Sequence, residues 1–223
     1  MSCPGRRLRE NLRNGLVGYW PCWEGDGDKA MDYSGCGHHG TLTNFSDPSA
    51  AWGYDSELGR GTVTFAAGTQ HIVIPQSAIA QATFSLCWWE WAAASNEGYF
   101  ACDSTDVTNL YLRRYDNGAK IAGGIGDVTF ATPVVSNQAW HQHVVTHDAA
   151  GNANWYIDGA WSQLKAGSNF SGLNSDLFVG NNAAFDRDFV GPLSDPLIYN
   201  RALSPGEIHQ LYANPYEDEG RLL

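Results

Sequence analysis

The stretch from Asp32 to Leu42, with the sequence DYSGCGHHGTL, combines residue types that can bind a hard cation. Gly35, Gly37 and Gly40 can adopt positive φ, so the backbone is expected to turn sharply here. Such a loop can direct carbonyl oxygens and the Asp32 carboxylate toward one point, as calcium ligands require. A glycine-rich surface turn without a ligand fits the same residue types, and the stretch alone leaves both interpretations open.

Two pairs of histidines suggest a second kind of metal chemistry. His38 and His39 are adjacent, and neighbouring side chains of an extended segment point to opposite faces, so we expect them to pack and to hydrogen-bond. His141 and His143 are two residues apart and face the same side of a predicted strand, which makes a zinc or copper pair geometrically possible. Because no third ligand stands at a recognisable spacing, a transition-metal site is not the expected outcome.

The charge of the chain narrows the possible partners. Its 223 residues carry a formal net charge of −11, which argues against nucleic acid and against an anionic membrane surface. We expect no membrane insertion either, because no apolar run is long enough for a membrane span. The charge is uneven, because four arginines against Glu10 give the first fourteen residues a charge of +3. We therefore predict a basic N-terminal arm (1–14), one domain (15–213) and a C-terminal tail (214–223).

No targeting or membrane segment is predicted. The N-terminal residues contain arginines but no apolar h-region, so we expect no signal peptide. No run approaches the ~18 apolar residues of a membrane span. Five cysteines, an odd number that matches no zinc pattern, favour a reducing compartment. Cys22 and Cys36 could approach each other, and the sequence leaves their pairing open.

The elements that must position these residues are predicted to be strands. Runs rich in β-branched and aromatic residues recur between clusters of Gly, Asn, Asp and Ser, as in a sandwich. Residues 84–91, FSLCWWEW, are mostly apolar on both faces and indicate a central buried strand, although exposed tryptophans could stack on sugars. Asn117-Gly118 and Asp158-Gly159 indicate hairpin turns. The predicted strands are 16–22, 62–66, 71–75, 82–93, 98–103, 109–115, 119–122, 128–135, 140–146, 154–159, 177–180 and 190–199.

Three segments, in this order, resemble the laminin-G-like jelly-roll family of concanavalin A-type sandwiches. They are Gly15 to Trp20 (GLVGYW), the Asp32 loop, and Gly191 to Ser204 (GPLSDPLIYNRALS). The last segment leads into a predicted helix with a capping box at Ser204 and Glu207. The resemblance spans roughly residues 15–213. It implies an all-β, concanavalin A-like two-sheet antiparallel jelly-roll sandwich with a short C-terminal helix.

The resemblance also implies a structural calcium ion. In the family, ligands come from a carboxylate after the first strand, the aspartate of the loop, and an acidic residue of the closing strand. Those positions carry over to Glu24, Asp32 and Asp195, with loop carbonyls near Ser34 and Gly37 as further ligands.

This sequence departs from the family pattern at the closing strand. Ser194 stands in place of the usual first acid, and Pro196 follows directly where a strand residue would donate a backbone hydrogen bond. Asp26 and Asp28 are alternative carboxylates near the first strand. The predicted site is therefore expected to be weaker or reshaped.

Sequence motifs for catalysis are missing. Retaining glucanases of this architecture carry a Glu-x-Asp-x-x-Glu pattern that places two carboxylates at one glycosidic bond, and this chain contains no such string. Glu90 stands alone in its strand, and Asp186 and Asp188 fall in a loop. There is no Gly-x-Ser-x-Gly elbow and no phosphate-binding glycine loop. We expect a protein that is not an enzyme, with a divergent polysaccharide hydrolase or lyase as the alternative.

The resemblance thus implies a binding or adhesion module, with a glycan or cell-surface polysaccharide as a possible partner. We expect its setting to be a virus or phage particle, as a surface, decoration or tail protein, because a secreted-type sandwich stands here without a signal peptide. The basic arm would then contact other virion subunits, whereas a frayed tail is the alternative for that segment. A free extracellular carbohydrate-binding lectin is the alternative function.

Overall fold

The computed structural model describes residues 7–66, 68–93, 98–103, 109–115, 120–126, 128–182, 184 and 187–217. Within these ranges the chain forms strands, one α-helix and three short 3-10 helices (Glu10–Arg13, Ser49–Ala51 and Gln76–Ile79). The strands and the helix are β1 (Leu16–Tyr19), β2 (Lys29–Ala30), β3 (Gly40–Thr43), β4 (Trp52–Asp55), β5 (Arg60–Phe65), β6 (His71–Ile74), β7 (Phe84–Trp91), β8 (Tyr99–Asp103), β9 (Leu110–Tyr115), β10 (Lys120–Ile125), β11 (Val128–Val134), β12 (Trp140–His147), β13 (Ala153–Ile157), β14 (Ala160–Lys165), β15 (Leu177–Val179), β16 (Gly191–Tyr199) and α1 (Pro205–Ala213).

The strands form two antiparallel sheets. Sheet one has the order β14-β13-β12-β7-β16-β5-β4, and β1 pairs with β16 beside this path. Sheet two has the order β11-β10-β9-β8-β15-β6-β3-β2. Together with the short C-terminal helix, this arrangement confirms the predicted jelly-roll sandwich.

The main apolar cluster lies between the two sheets. Because side chains alternate along a strand, Phe84, Leu86 and Trp88 of β7 point into this cluster, where Phe100 and Leu112 of sheet two meet them. All of these side chains are at least nine-tenths buried. Removing apolar surface from water contributes about 25 cal/mol per Å², so this layer is the main source of stability.

A second apolar cluster covers the outer face of sheet one. Cys87 of β7 belongs to it, together with Ile208 and Leu211 of α1. Trp89 stacks on Tyr212, with ring centroids 5.6 Å apart and planes inclined by 14°. Strand β7 is therefore buried on both faces, which confirms the interpretation of FSLCWWEW as a central strand.

The N-terminal segment also packs on this outer face. Leu8 and Leu12 are buried in the second cluster. The backbone N–H of Arg9 donates to the Pro215 carbonyl at 2.9 Å, and the Glu217 N–H donates to the Arg7 carbonyl at 2.8 Å. Residues 1–6 lie outside the described ranges, so contact of the arm with other subunits stays a prediction.

Four strands were not predicted. Three of them, β2, β4 and β14, are edge strands of their sheets, and β3 lies between β2 and β6. The side chains of β4 and β14 are exposed or half-buried throughout. An edge strand buries less surface than a central one, so its sequence lacks the apolar pattern on which prediction relies. The Asp158-Gly159 turn is confirmed, because both residues have positive φ (50° and 74°). The Asn117-Gly118 turn lies outside the described residues.

The closing strand β16 contains a bulge at Asp195. This residue has φ of 46°, and the pairing with β7 shifts in register between Ser194 and Leu197. The carbonyl of Pro196 accepts a hydrogen bond from the Trp20 N–H at 3.0 Å. Because a bulge takes residues out of the ladder, Pro196 can lie inside a sheet although it has no N–H to donate.

Helix α1 begins as predicted. The Ser204 hydroxyl accepts the Glu207 N–H, and the Glu207 carboxylate accepts the Ser204 N–H at 2.8 Å. Arg201 binds the same carboxylate through two nitrogens, at 2.6 and 3.0 Å. No helix in the described part of the chain is long and apolar enough to cross a membrane.

Candidate binding loop and its carboxylates

Asp32 is the centre of the loop between β2 and β3. Its Oδ1 accepts hydrogen bonds from the backbone N–H groups of Tyr19 (2.9 Å) and Ser34 (2.8 Å). Its Oδ2 accepts from the Ser34 hydroxyl and from the His38 N–H, both at 2.9 Å. The carboxylate, which is 8% exposed, therefore joins the first strand to both ends of the turn.

The protonation state of Asp32 follows from these contacts. Burial alone would raise the pKa of this carboxyl, but the hydrogen bonds from Ser34, Tyr19 and His38 outweigh that effect and hold the pKa below its ordinary value. Asp32 is therefore ionised at neutral pH and stabilises the loop as a charged acceptor.

The two histidines of the loop have structural contacts, as predicted. His38 Nδ1 lies 2.7 Å from the Val17 carbonyl oxygen, and His39 Nδ1 accepts the Asp32 N–H at 3.0 Å. Gly35 and Gly37 have positive φ (94° and 79°). Gly40 does not, because it lies in β3, where an added Cβ would come within 2.9 Å of the Ile72 side chain. The expectation of positive φ at Gly40 is therefore wrong.

Glu24 and Asp195 have different surroundings from Asp32. One oxygen of Glu24 accepts the Met31 N–H at 2.8 Å, and burial raises the pKa of this carboxyl. Asp195 is 1% exposed, and its Oδ2 accepts from the Arg60 guanidinium and the Tyr216 hydroxyl. Within the described part of the chain, Glu24 Oε2 and Asp195 Oδ1 are buried without a hydrogen-bond partner.

The predicted calcium ligands do not fit an ion in this arrangement. A carboxylate has about four acceptor positions, and those of Asp32 are all occupied by protein donors. Asp195 is already compensated by Arg60. Among the described residues, no group of three or more His, Cys, Asp or Glu side chains is placed to hold a metal. Calcium binding through Glu24, Asp32, Ser34, Gly37 and Asp195 stays a prediction of the resemblance.

A charged cluster that the sequence did not predict lies inside the sandwich. Arg114 of sheet two crosses the interior to Glu90 of sheet one, and both side chains are fully buried. His143 Nε2 is 3.2 Å from the same Glu90 oxygen, and its Nδ1 accepts from the Trp155 indole at 3.3 Å. Burial lowers the pKa of His143, so the ring is neutral and Nε2 carries its proton. The ion pair links the two sheets.

The remaining candidates for metal or thiol chemistry also have structural surroundings. His141 does lie on the same face as His143, but its Nδ1 is 2.8 Å from Asp158 and its Nε2 is 2.7 Å from Ser136. Cys22 is buried and Cys36 is exposed, and both are free thiols. Cys22 and Cys36 therefore do not form a disulfide bond with each other.

Exposed aromatic residues are the surface feature that sequence reasoning missed. Tyr33 in the loop is 53% exposed, Tyr54 on β4 is 55% exposed, and Trp161 on β14 is 61% exposed. The Trp161 indole donates to the Asn154 side chain at 3.3 Å, which fixes the ring. Two of the three lie on edge strands that were not predicted, so their exposure could not be derived from strand alternation.

Comparison with known proteins agrees with this architecture. A family model, Laminin_G_3, described as the concanavalin A-like lectin/glucanases superfamily, matches residues 66–209. The match does not include the Asp32 loop. No curated protein matches the chain in sequence.

Several solved structures share the fold. The binding domain of Paraclostridial Mosquitocidal Protein 1 has a TM-score of 0.68 at 15% identity, over 90% of this chain and 52% of that one. Domain 4 of AbnA, a GH43 extracellular arabinanase from Geobacillus stearothermophilus solved with arabinotriose, also has a TM-score of 0.68, at 18% identity over 88% of this chain and 98% of that domain. Trypanosoma rangeli sialidase has a TM-score of 0.64 at 15% identity, over 88% of this chain and 32% of the sialidase. The chain thus spans about half the length of the mosquitocidal binding domain, and at these identities the likeness shows the fold alone.

Proposed function

Because the chain belongs to the Laminin_G_3 family of the concanavalin A-like lectin/glucanase superfamily, we propose that it is a non-catalytic module that binds glycans. The observation that carries this proposal is the set of aromatic side chains that rigid elements hold in solvent. Tyr33, Tyr54 and Trp161 are each more than half exposed. An exposed ring on a rigid scaffold presents a large apolar face at low cost in conformational entropy, and the C–H face of a sugar can pack on it.

The similar structures include one with a bound sugar. Domain 4 of AbnA was solved in complex with arabinotriose, and it is covered almost completely by the present fold. The mosquitocidal protein contributes a binding domain. These relatives support a binding role for a sandwich of this kind, and the present chain would use it for a cell-surface polysaccharide.

The surroundings of the acidic side chains support a non-catalytic role. A glycosidase needs two carboxyl groups that face one bond of the substrate. Glu90 is fully buried against Arg114, Asp195 is buried against Arg60, and Asp32 is saturated by hydrogen bonds. Asp186 lies outside the described residues. Polysaccharide turnover that disappears in Glu90→Gln or Asp186→Asn, with the fold intact, would contradict this part of the proposal.

For the biological setting, we propose the surface of a virus or phage particle. The support is strand β14, which lies at the edge of sheet one and exposes Trp161 (61%) and Leu164 (49%). An edge strand with exposed apolar side chains can pair with a neighbouring chain. Light scattering that shows a defined oligomer supports this setting, whereas a monomer at all concentrations favours a free lectin.

The test of glycan binding is an array of immobilised saccharides. It is probed with the labelled wild type and with the triple variant Tyr33→Ala, Tyr54→Ala, Trp161→Ala. We expect the wild type to bind a defined subset of glycans, and the variant to lose that binding while its circular dichroism spectrum is unchanged. If the wild type binds no glycan on the array, the proposed function is wrong.

A further inference from the structure

A pocket of about 460 Å³ lies where the N-terminal segment meets the Asp32 loop. Its volume falls within the roughly 300–1,000 Å³ that is usual for small-molecule sites. The residues around it that bear on ligand binding are Arg7, Leu8, Arg13, Tyr19, Trp23 and Tyr33.

One side of the pocket is aromatic. The rings of Trp23 and Tyr33 have centroids 5.8 Å apart and planes inclined by 50°, so they form an angled wall. Tyr19 is buried and meets Trp23 edge-on at 6.4 Å, which supports the wall from behind. Leu8, 4% exposed, adds a buried apolar surface. Two rings at an angle can enclose the apolar face of one sugar ring.

The charged groups that line the pocket, among the described residues, are the guanidinium groups of two arginines. Arg7 is exposed, and Arg13 is half-buried. Arg13 forms an ion pair with Glu217 through one terminal nitrogen, whereas its Nε is buried without a hydrogen-bond partner in the described part of the chain. A guanidinium binds a carboxylate through two parallel N–H donors, so Nε and a terminal nitrogen are the usual pair for such a contact.

The charge of this pocket is opposite to that of the protein. Among the described residues, the pocket is lined by two arginines and no acidic side chain, in a chain with a formal net charge of −11. Two acidic groups of these residues border it. Glu217 is engaged with Arg13, and Glu24, near Tyr33, accepts the Met31 N–H. A ligand with a negative charge is therefore favoured at this place over the remainder of the surface.

Both sides of the pocket are held in place before any ligand binds. The Tyr33 N–H donates to the Tyr19 carbonyl at 2.7 Å, next to the hydrogen bonds of Asp32. The backbone of Arg7 is held through its carbonyl, which accepts the Glu217 N–H. A site that needs little ordering on binding loses less entropy, which increases affinity.

We infer that this pocket binds an acidic saccharide. Trp23 and Tyr33 pack against a sugar ring, and Arg7 and Arg13 bind its carboxylate. The inference rests on the proposed glycan-binding function and adds to it the place of binding and the charge class of the sugar.

The experiment uses the full chain and two matched pairs of exposed residues. Tyr33→Ala and Arg7→Gln change the pocket. Leu164→Ala removes an exposed apolar side chain (49%), and Arg187→Gln removes an exposed arginine; neither residue lines the pocket. Each protein is first tested for binding to an array of carboxylated, sulfated and neutral glycans. It is then titrated by calorimetry with oligogalacturonide and with the carboxyl-reduced form of the same oligosaccharide.

We expect the carboxylated glycans to bind, and the carboxyl-reduced counterpart to bind at least tenfold more weakly. Tyr33→Ala and Arg7→Gln should each weaken binding tenfold or more, while the two control variants stay within about twofold, since one lost charged contact is worth about tenfold or more. Glycan binding that is unchanged in Tyr33→Ala and Arg7→Gln overturns the pocket assignment and leaves the proposed function standing. If only neutral or sulfated glycans bind, the inference that the pocket recognises a carboxylate is wrong. No binding by the wild type refutes the proposed function and this inference with it.

Discussion

Replacement of Asp32 by alanine tests whether hydrogen bonds or a cation hold the central loop. The change removes the acceptor of the backbone N–H groups of Tyr19, Ser34 and His38. A buried donor without a partner costs about 1–3 kcal/mol, and water can reach the half-buried Ser34 and His38 more easily than the buried Tyr19. We therefore expect Asp32→Ala to lower the free energy of unfolding by about 3–5 kcal/mol.

The assay is urea unfolding followed by tryptophan fluorescence, with EGTA or with added calcium. Asp28→Ala is the matched control, because Asp28 is an exposed aspartate of the same region whose ion pair with Lys29 (3.6 Å) is worth about 0–1 kcal/mol. If the hydrogen bonds of Asp32 hold the loop, Asp32→Ala lowers the free energy of unfolding by the same amount in EGTA and in calcium. A ligand at a hundredfold excess over its dissociation constant would add about 2.7 kcal/mol to the wild type.

Two results would refute this reasoning. A loss below about 1 kcal/mol in Asp32→Ala would mean that the four hydrogen bonds contribute less than their burial implies. A wild type that EGTA destabilises, beside an Asp32→Ala variant that EGTA leaves unchanged, would show that the loop binds calcium and that the arrangement of donors around Asp32 changes when it does.

Three further predictions concern other charged and exposed groups. Glu90→Gln leaves Arg114 without its buried counter-charge and should cost about 3–5 kcal/mol in urea unfolding, whereas a loss within about 0.5 kcal/mol would mean that the ion pair contributes little. Glu207→Gln removes a carboxyl whose pKa is lowered to about 2, chiefly by Arg201. The variant should therefore be less stable than the wild type above the ordinary glutamate pKa of about 4.3. The difference in the free energy of unfolding between the two proteins should vanish as pH falls toward 2. Trp161→Glu should abolish self-association in light scattering. It should change the free energy of unfolding by no more than about 0.5 kcal/mol, because the ring is 61% exposed. An oligomer that persists in this variant would exclude β14 as the contact between chains.

Acid should destabilise the wild type through several carboxyl groups at once. The pKa of Asp32 and that of Glu207 both lie below their ordinary values in the fold. A carboxyl whose pKa is lower in the folded than in the unfolded state contributes stability above the unfolded value, about 4, and loses it as pH falls through the folded value. Acid unfolding should therefore begin below about pH 4 and be shifted upward in Asp32→Ala.

The sequence predicted most strands of the sandwich, because burial on one or both faces leaves an apolar pattern. FSLCWWEW indicated the position of β7 correctly, and Ser204 with Glu207 indicated the start of α1. The edge strand β14 escaped prediction because its side chains remain partly in water. Sequence reasoning also could not pair Glu90 with Arg114, since that contact joins two sheets and depends on the completed sandwich.

The site was predicted only in part for the same reason. The loop and its aspartate were identified from glycine spacing, but the donors that occupy Asp32 include the N–H of Tyr19, from a strand thirteen residues earlier. The side chains of Trp23 and Tyr33 form a wall only once this bond has brought the loop against β1. A composition rich in aromatics cannot tell which rings stay in solvent, because exposure is a property of packing.

The uses of acidic and aromatic residues in this protein are complementary. Asp32, Glu90 and Asp195 are all buried, and each contacts donors that join separate segments of the chain. Carboxylates engaged in this way stabilise the fold, and their charge is not available to a substrate. Recognition therefore falls to groups that the fold leaves exposed, and around the pocket these are the Tyr33 ring and the Arg7 guanidinium. Asp32 connects the two roles, because the loop that it fixes is the loop that presents Tyr33, so Asp32→Ala should weaken glycan binding even under conditions in which the variant remains folded.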